Sequence, residues 1–439
     1  MKITFIRLNM FEHISTDAMK PVLFELMRSH TPASDEIQFI DERVEKLPDQ
    51  IETDIIAFSV ETYTAKRAYI LARKYKTDSN IIVMGGYHPT VLPDEALEYA
   101  DTVIVGDAED TWGDFLVDCK AGAPKRKYIS SESLPLRSFA ADSTVYRHRY
   151  HRVGVYQTSR GCKFNCDFCS IKTMYSRVRR KPVEDVVSDL RQMREKIIFF
   201  ADDNLFYDEE GALELFRAIA PLKKRWACQI SMDVAKNDEL LREMKKAGCF
   251  LVLLGFESLN RSSLSTMHKV ANQAAEDYET VIARIYRHRL LIYGTFVFGY
   301  DDDTPELFER TLQFVEKNHF AITNFNPLIP MPGTGVYRRL EQEGRLLYDK
   351  WWLSDEYRYG DTIYQPRGMS PADLRDGCIQ MRTRFYSVGS IFRRLLARPN
   401  FFFPWNFSVF LLTNFISRKE IRSKQGQILG GTLHEAHSD

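Results

Sequence analysis

The chain has 439 residues, enough for roughly two or three domains with substantial cores. Its 60 Lys and Arg residues balance 60 Asp and Glu residues, so net charge does not favour nucleic acid as a partner. The seven cysteines include one tight cluster, and the beginning of the sequence shows no signal-peptide pattern. These features favour metal ligation in a reducing cytoplasm over disulfide bonds.

Residues 1–125 are predicted to form an open, Rossmann-like α/β domain, because apolar, β-rich runs alternate there with helical patterns. The predicted strands are Ile3–Ile6, Ile37–Ile40, Ile55–Val60, Ile81–Met84 and Thr102–Val105. The fourth strand runs into Gly85 and Gly86, followed by His88, at the end of a strand where open parallel sheets bind ligands. We therefore expect a ligand-binding edge at this turn. Residues 126–150 are polar and charged and are predicted to be a linker.

A second, longer alternation of strands and helices occupies residues 151–340. Its predicted strands lie near Val153–Gln157, Ile197–Ala201, Trp226–Ser231, Phe250–Phe256, Leu291–Phe298 and Ile322–Pro327. Six strand–helix units in series predict a partial (β/α)6 barrel of the TIM type, with function at the carboxyl ends of the strands. Residues 341–439 are predicted to form a mostly helical C-terminal region.

The tight cysteine cluster follows the first strand of this predicted barrel. Cys162, Cys166 and Cys169 have C-x₃-C-x₂-C spacing, which suits one face of an iron–sulfur cube and leaves the fourth iron open for a non-protein ligand. A zinc site completed by a distant Cys or His, or cysteines packed in a core, are the alternatives. Phe168, just before the last cysteine, either packs in the core or covers an adenine.

This loop, placed after the first strand of a βα repeat, closely resembles the radical S-adenosylmethionine (SAM) superfamily. The resemblance implies a [4Fe-4S] cluster whose open iron chelates SAM, and a reduced cluster that cleaves the C–S bond to give a 5′-deoxyadenosyl radical. Further segments similar to that family are Asp202-Asp203-Asn204, Gly255-Phe256-Glu257-Ser258 and Pro330-Met331-Pro332-Gly333-Thr334. It also implies an electron donor such as flavodoxin or ferredoxin.

Two carboxylates in these segments are candidates for binding the cofactor. Glu257 is suited to accept hydrogen bonds from the ribose or ammonium of SAM, and the alternative is a salt bridge at the barrel rim. Of Asp202 and Asp203, one is expected to face the mouth of the barrel, while its neighbour, on the alternate face, caps the next helix.

The N-terminal domain resembles that of cobalamin-binding radical enzymes. The similar segments are the turn with Gly85, Gly86 and His88, then Pro93-Asp94-Glu95 and Gly106-Asp107-Ala108-Glu109. The D-x-H-x-x-G motif that supplies a cobalt-ligating histidine in many such domains is absent, His13 lacks the aspartate and glycine, and His88 is expected to bond backbone. Either cobalamin is held without a lower histidine, or the fold has another purpose.

The leading functional prediction is a radical enzyme that modifies an unactivated carbon of a small-molecule or lipid-like substrate by methylation, cyclisation or rearrangement. An RNA-modifying radical enzyme and a non-catalytic iron–sulfur protein are the alternatives. The sequence shows no appended basic module, so no nucleic-acid partner is expected.

The C-terminal region adds an expectation about membranes. Arg393, Arg394 and Arg398 precede the aromatic run Phe401–Trp405, and Arg418, Lys419, Arg422 and Lys424 follow the apolar stretch. Basic flanks around such a run fit peripheral contact of a cytoplasmic protein with an anionic membrane surface. The alternative is a core segment that closes the open side of the barrel.

Overall fold

The computed structural model describes residues 1–431 except residues 12–13, 16–17, 133, 137–144, 147–149, 207, 274–276 and 402–403. Two parallel six-stranded sheets dominate the described residues, and a small antiparallel pair adds two short strands. The fold class predicted from the sequence is confirmed: an open α/β sheet is followed by a curled half-barrel and a helical C-terminal region.

The N-terminal sheet has the strand order β2-β1-β3-β4-β5-β6. Its strands are β1 (Lys2–Arg7), β2 (Glu36–Asp41), β3 (Ile55–Ser59), β4 (Ile81–Gly85), β5 (Thr102–Val105) and β6 (Lys127–Ile129). The helices are α1 (Val22–Ser29), α2 (Ala65–Tyr75), α3 (Tyr87–Val91), α4 (Pro93–Ala96) and α5 (Trp112–Lys120). β3 is buried almost throughout, as a parallel strand covered on both faces should be. Strand β6 was not predicted and lies within the residues expected to be linker.

The half-barrel has the strand order β14-β13-β12-β11-β10-β7, so β7 and β14 are its two edges. Its strands are β7 (Val153–Tyr156), β10 (Ile197–Phe200), β11 (Arg225–Ile230), β12 (Cys249–Glu257), β13 (Leu291–Phe298) and β14 (Ile322–Pro327); the short pair is β8 (Ser159–Arg160) and β9 (Arg179–Arg180). The helices between them are α6 (Ile171–Met174), α7 (Val183–Gln192), α8 (Glu209–Ile219), α9 (Asp238–Lys246), α10 (Arg261–Thr266), α11 (Val270–Gln273), α12 (Tyr278–Arg287), α13 (Glu306–Lys317) and α14 (Gly335–Gln342).

The two faces of the half-barrel differ in burial. On one face, apolar side chains such as Phe200, Trp226 and Phe256 are fully buried in the same hydrophobic core as the surrounding helices. The alternate residues, among them Thr295 and Asn324, are only partly buried, and the strand register places these two side by side. The second face is therefore the open, concave interior, where the mouth of a barrel binds ligands.

Three C-terminal helices cover the edge of β14: α15 (Pro371–Phe385), α16 (Val388–Leu395) and α17 (Pro404–Lys424). The hydroxyl of Tyr386 accepts a hydrogen bond from the Thr323 amide at 3.1 Å and donates one to the Thr323 carbonyl at 3.0 Å. Arg382 donates through Nε to the Phe325 carbonyl at 2.8 Å. These bonds occupy backbone groups that an uncovered edge strand would leave unpaired.

Arg394 has a different role from the one predicted. Its side chain is 1% exposed and donates to the carbonyls of Phe320, Ala321 and Phe385, so it holds the C-terminal helices onto the half-barrel. Arg394 therefore is not part of a basic surface flank. Residues Phe402 and Phe403 of the predicted aromatic run lie outside the described residues. Within the described part of the chain, no helix combines the length and apolar character needed to cross a membrane.

Candidate functional site

The cysteine loop leaves the carboxyl end of β7 and contains Cys162, Cys166 and Cys169, all half-buried. Burial raises the pKa of Cys166 to about 11, and Cys162 and Cys169 add to the rise, whereas Lys269 lowers it. The thiols thus destabilise one another as anions, and a bound cationic metal group would relieve that repulsion.

The donor set fits an iron–sulfur cluster better than a single ion. Among the described residues, no group of three His, Cys, Asp or Glu side chains converges closely enough to hold one metal ion. Each thiolate of a cube binds a different iron, so the three ligands of a cluster stand further apart than those of a zinc ion. Three thiols on one loop suit a cluster that binds each of them through a different iron.

Residues that follow β10 hold the loop in place. Asp202 accepts hydrogen bonds through Oδ1 from the amide and hydroxyl of Thr158, at 3.0 and 2.7 Å, and from both groups of Ser159. Asp203 accepts from the Gly161 amide at 2.8 Å, and the Asn204 amide donates to the Cys162 sulfur at 3.8 Å. Burial raises the pKa of Asp202 to about 6.

Asp202 therefore braces the start of the cysteine loop. Its Oδ2 is buried, and no hydrogen-bond partner for it is found among the described residues. Binding of a cofactor by Asp202 stays a prediction, whereas its contact with the loop backbone is a feature of the structure.

Glu257 ends β12 in an unusual conformation. Its φ of 62° lies in the left-handed region, next to an irregularity in the pairing of β12 with β13. Its Oε1 accepts from Lys269 Nζ at 2.7 Å, and Lys269 also lies 6.0 Å from the centre of the Phe168 ring. Strained backbone of this kind gathers at functional sites.

Lys269 is the functional candidate that the sequence analysis missed. Lys269 lies close to Glu257, Phe168 and Cys166. Because they are near, Glu257 and Cys166 both raise the pKa of Lys269 against the opposing effect of burial. The rim salt bridge considered for Glu257 thus exists, but it is buried beside the cysteines. Lys269 follows the short helix α10 with no motif around it, so no local signal pointed to it.

A cavity of about 520 Å³ lies between the two sheets. From the N-terminal sheet, the ends of β1, β3, β4 and β5 line it, including Gly85, Gly86 and Gly106; from the half-barrel, Gln157, Arg160 and Tyr175 face it. Gly86 has φ of 107°, and a Cβ there would lie 2.8 Å from the Val60 carbonyl oxygen, so only glycine suits the turn. The ends of β3 and β4 therefore offer bare backbone to a ligand facing the cysteine loop.

Ion pairs join the two sides of this cavity. Arg160, in the cysteine loop, binds Asp107 at 2.9 Å and Glu109 at 2.6 Å, and Arg179 also binds Asp107. Burial by itself would lower the pKa of Arg160, but the two carboxylates raise it above its ordinary range. Arg160 thus connects the cluster loop to the edge of the N-terminal sheet.

His88 lies apart from the cavity. Its imidazole is fully buried, with Nε2 at 3.0 Å from both the Tyr69 hydroxyl and Glu95 Oε1, and Trp352 donates to the same oxygen at 2.9 Å. His88 was expected to bond to backbone, but its Nε2 contacts side chains instead. These contacts, with that of Trp352, join the N-terminal domain to the C-terminal region. Contact of His88 with a cofactor stays a prediction, and His13 lies outside the described residues.

Comparison with known proteins agrees with this geometry. Residues 156–315 match the Radical SAM superfamily, and residues 29–116 match the B12 binding domain. The chain is 30% identical over 400 residues to the bacteriochlorophyllide d C-12(1)-methyltransferase of Chlorobaculum tepidum, covering 88% of this chain and 86% of that protein. It is 26% identical over 349 residues to the hopanoid C-2 methylase of Rhodopseudomonas palustris, covering 75% of this chain and 66% of that protein.

Solved structures share the fold. The radical SAM methyltransferase TsrM from Kitasatospora setae, solved with cobalamin and a [4Fe-4S] cluster, matches with a TM-score of 0.63 and 15% identity, covering 86% of this chain and 81% of that one. OxsB, solved with aqua-cobalamin, matches with a TM-score of 0.63 and 14% identity, covering 96% of this chain and 72% of that one.

The half-barrel and its cysteine loop define a radical enzyme, which confirms the enzyme class expected from the sequence. The chain belongs to the radical SAM superfamily, in the group that carries an N-terminal B12-binding domain. Membership implies a [4Fe-4S] cluster and SAM as cofactors, and the B12-binding match supports cobalamin despite the absent D-x-H-x-x-G motif.

Proposed function

We propose that this enzyme transfers a methyl group to an unactivated carbon of a small molecule, with cobalamin and SAM as cofactors. The observation that carries the proposal is the cavity of about 520 Å³ between the glycine-rich edge of the N-terminal sheet and the cysteine loop. Group transfer between two cofactors requires that they lie close together in a space that excludes water, and this cavity lies between the N-terminal sheet and Arg160 of the cysteine loop.

The site residues divide by cofactor. Cys162, Cys166 and Cys169 hold the cluster, while Phe168 and Glu257 contact SAM, the ring against adenine and the carboxylate with the ammonium or ribose. Lys269 keeps Glu257 in place, since the two are 2.7 Å apart, and offsets the charge of the thiolates. When bound, the reduced cluster supplies the electron that cleaves SAM, and cobalamin supplies a carrier for the methyl group.

The edge of the N-terminal sheet holds cobalamin through its backbone. Gly85 and Gly86 line the cavity and let the corrin approach β4, and the glycine at 86 allows the tight turn against Val60 that shapes this edge. No histidine lines the cavity among the residues that the structure describes. We infer that cobalamin binds in this cavity without a lower histidine ligand. This is the first of the two alternatives that the sequence left open.

The substrates of relatives support a small molecule over RNA. Their names specify bacteriochlorophyllide, a hopanoid and magnesium-protoporphyrin monomethyl ester, and the last belongs to an anaerobic cyclase from Cereibacter sphaeroides. The first two are acted on by methyltransferases, which favours methylation over cyclisation for this chain. We also infer that a flavodoxin or ferredoxin delivers the electron.

One experiment tests this function directly. Anaerobic protein is reconstituted with iron, sulfide and hydroxocobalamin, then reduced and supplied with SAM. We expect bound cobalamin in the visible spectrum, one [4Fe-4S] cluster and release of 5′-deoxyadenosine together with S-adenosylhomocysteine. Protein with a full cluster that never retains cobalamin would contradict the methyl-transfer proposal and leave a radical enzyme without B12 chemistry.

Peripheral contact with a membrane is a further part of the proposal. An exposed apolar stripe runs along the C-terminal helices, and its exposed fractions are 47% for Val388, 49% for Phe392, 81% for Leu396 and 60% for Phe401. The side chain of Arg393, beside the stripe, is 73% exposed. Apolar side chains with a nearby cation suit the interface of an anionic bilayer.

Co-sedimentation with anionic liposomes measures this contact. We expect the wild-type protein to bind at low salt and the double variant Phe392→Ser and Leu396→Ser to lose binding. Leu347→Ser, at a residue 46% exposed outside the stripe, is the control that should bind like wild type. No sedimentation of the wild-type protein at low salt would refute membrane contact.

A further inference from the structure

A second cavity, of about 300 Å³, opens at the edge of the concave face of the half-barrel. Tyr293 of β13 and Asn324 and Asn326 of β14 line it from the sheet, and the Asn324 amide donates to the Tyr293 hydroxyl at 2.7 Å. Helices α15 and α17 close the other side and contribute Arg382 and Ile421. The walls thus combine amides and phenols with apolar surface.

Arg382 is the group that gives this cavity a chemical preference. Its Nε donates to the Phe325 carbonyl at 2.8 Å and its Nη2 to Asn326 Oδ1 at 3.0 Å, which fixes the plane of the guanidinium. In the described part of the chain, no hydrogen-bond acceptor lies within bonding distance of its Nη1 group. A fixed guanidinium with donors to spare is suited to a carboxylate.

Two other charged groups line the same cavity and largely cancel each other. Glu420 and Lys424, one turn apart on α17, form an ion pair of 2.8 Å. Arg382 therefore leaves a net charge of about one positive unit, which matches a monoanion better than a dianion. The Asn324 and Asn326 amides stand beside it.

The strand register sets how far Asn324, which lines this cavity, lies from Gly255 beside the SAM site. Gly255, two residues before Glu257, pairs with Thr295, and Thr295 pairs with Asn324. Two strand spacings separate Gly255 from Asn324, which is about 10 Å. All three residues alternate with buried ones and so share the concave face, which places Asn324 on the same face of the sheet as the SAM site.

We propose that Arg382, with Asn324 and Asn326, binds a carboxylate of the substrate two strands away from the SAM site. The substrate is then a carboxylic acid large enough to span that distance, with the acid at one end and the methylated carbon at the other. This inference rests on the proposed function only in taking the concave face as the substrate site.

The test uses two matched probes on the reconstituted full-length protein, para-fluorobenzoate and its neutral counterpart para-fluorobenzamide. Fluorine NMR titrations give a Kd for each. A charge-assisted hydrogen bond contributes about 1.5–3 kcal/mol, so the acid should bind roughly tenfold or more tightly than the amide. Arg382→Gln should bring the two affinities together, and Arg384→Gln, on the same helix but bonded to Glu309, should not.

A gain of affinity separates this proposal from a purely structural role for Arg382. Glu420→Gln removes a negative charge from the lining of the cavity, so the acid should bind several-fold more tightly while the amide is unaffected. If Arg382→Gln fails to fold, the Glu420→Gln result decides. Equal binding of acid and amide to the wild-type protein, or no tightening in Glu420→Gln, would overturn the proposal.

These outcomes are independent of the methyl-transfer assay. A preserved preference for the acid in protein that never retains cobalamin would keep the carboxylate site and discard the proposed chemistry. Full cofactor chemistry without any preference for the acid would do the reverse.

Discussion

We expect the two parallel sheets to bind their cofactors at the same ends of their strands, but with different chemistry. The edge of the N-terminal sheet offers glycine backbone at Gly85, Gly86 and Gly106. The edge of the half-barrel offers thiols and a buried ion pair, with Glu257 and Lys269 2.7 Å apart. On the proposed function, the first edge would select its ligand by close approach and shape, and the second by charge and metal ligation. A substitution that abolishes ligand binding at one edge should therefore leave ligand binding at the other edge intact.

The largest effect is expected at the cysteines. Cys162→Ala, Cys166→Ala and Cys169→Ala should each abolish the cluster and the cleavage of SAM, because three thiolates are needed to hold the cube. Binding of hydroxocobalamin should persist, since none of the three cysteines lines the cavity between the sheets. Iron and sulfide analysis, 5′-deoxyadenosine release and the visible spectrum give the three readouts.

Cys119→Ala, in α5, is the matched control and should keep both cofactors. A full iron complement in all three loop variants would refute the cluster assignment.

The next largest effect is expected at Glu257, which tests whether the edge of the half-barrel selects its ligand by charge. Glu257→Ala should weaken SAM binding by about 10- to 100-fold, the loss expected for a charge-assisted hydrogen bond, with the cluster still assembled. Isothermal titration of the reconstituted protein measures the Kd. Glu306→Ala, at the start of α13, should leave the Kd unchanged. An unaltered Kd in Glu257→Ala would reduce the Glu257–Lys269 pair to a structural ion pair.

Gly86 tests whether the edge of the N-terminal sheet selects its ligand by close approach and shape. Gly86→Ala places a Cβ 2.8 Å from the Val60 carbonyl oxygen at a φ of 107°, so the turn must move at a cost of about 1–3 kcal/mol. We expect cobalamin affinity to fall about tenfold with the cluster intact. Gly113→Ala, whose Cβ would meet nothing within 4 Å, serves as the control. Wild-type cobalamin retention in Gly86→Ala would show that this turn does not contact the corrin.

The smallest effect is on stability at the joint between the N-terminal domain and the C-terminal region. Burial would raise the pKa of Glu95, but hydrogen bonds from His88, Lys350 and Trp352 lower it to about 2 from its ordinary value of 4.5. A depressed pKa means that the stabilisation is complete above pH 4.5 and is lost as the pH falls toward 2. We expect this loss to be ~2 kcal/mol.

Denaturant unfolding of the wild type and of Glu95→Gln at several pH values checks that sign. The variant should be less stable near neutral pH and should lose less stability on acidification. Parallel pH profiles for the two proteins would contradict the role of Glu95.

Local spacing determined the parts of this protein that depend on neighbours in the sequence. The C-x₃-C-x₂-C loop and the alternation of strands with helices were sufficient for the family, the fold class, the [4Fe-4S] cluster and SAM, whereas the glycines after β4 left the binding of cobalamin open. Each depends on residues a few positions apart, whose relation the covalent chain itself imposes. The three cysteines of the cluster motif lie on one loop independently of how the rest of the chain folds.

Only the tertiary structure decided which distant residues meet. Lys269 reaches Glu257, and His88 turns into the core against Glu95. Arg394, which looked like a surface cation, is buried because the carbonyl groups of Ala321, just before β14, and of Phe385 in α15 satisfy its donors. These partners are brought together by helix and sheet packing over long sequence separations, and burial, rather than residue type, then fixes what each charge can do.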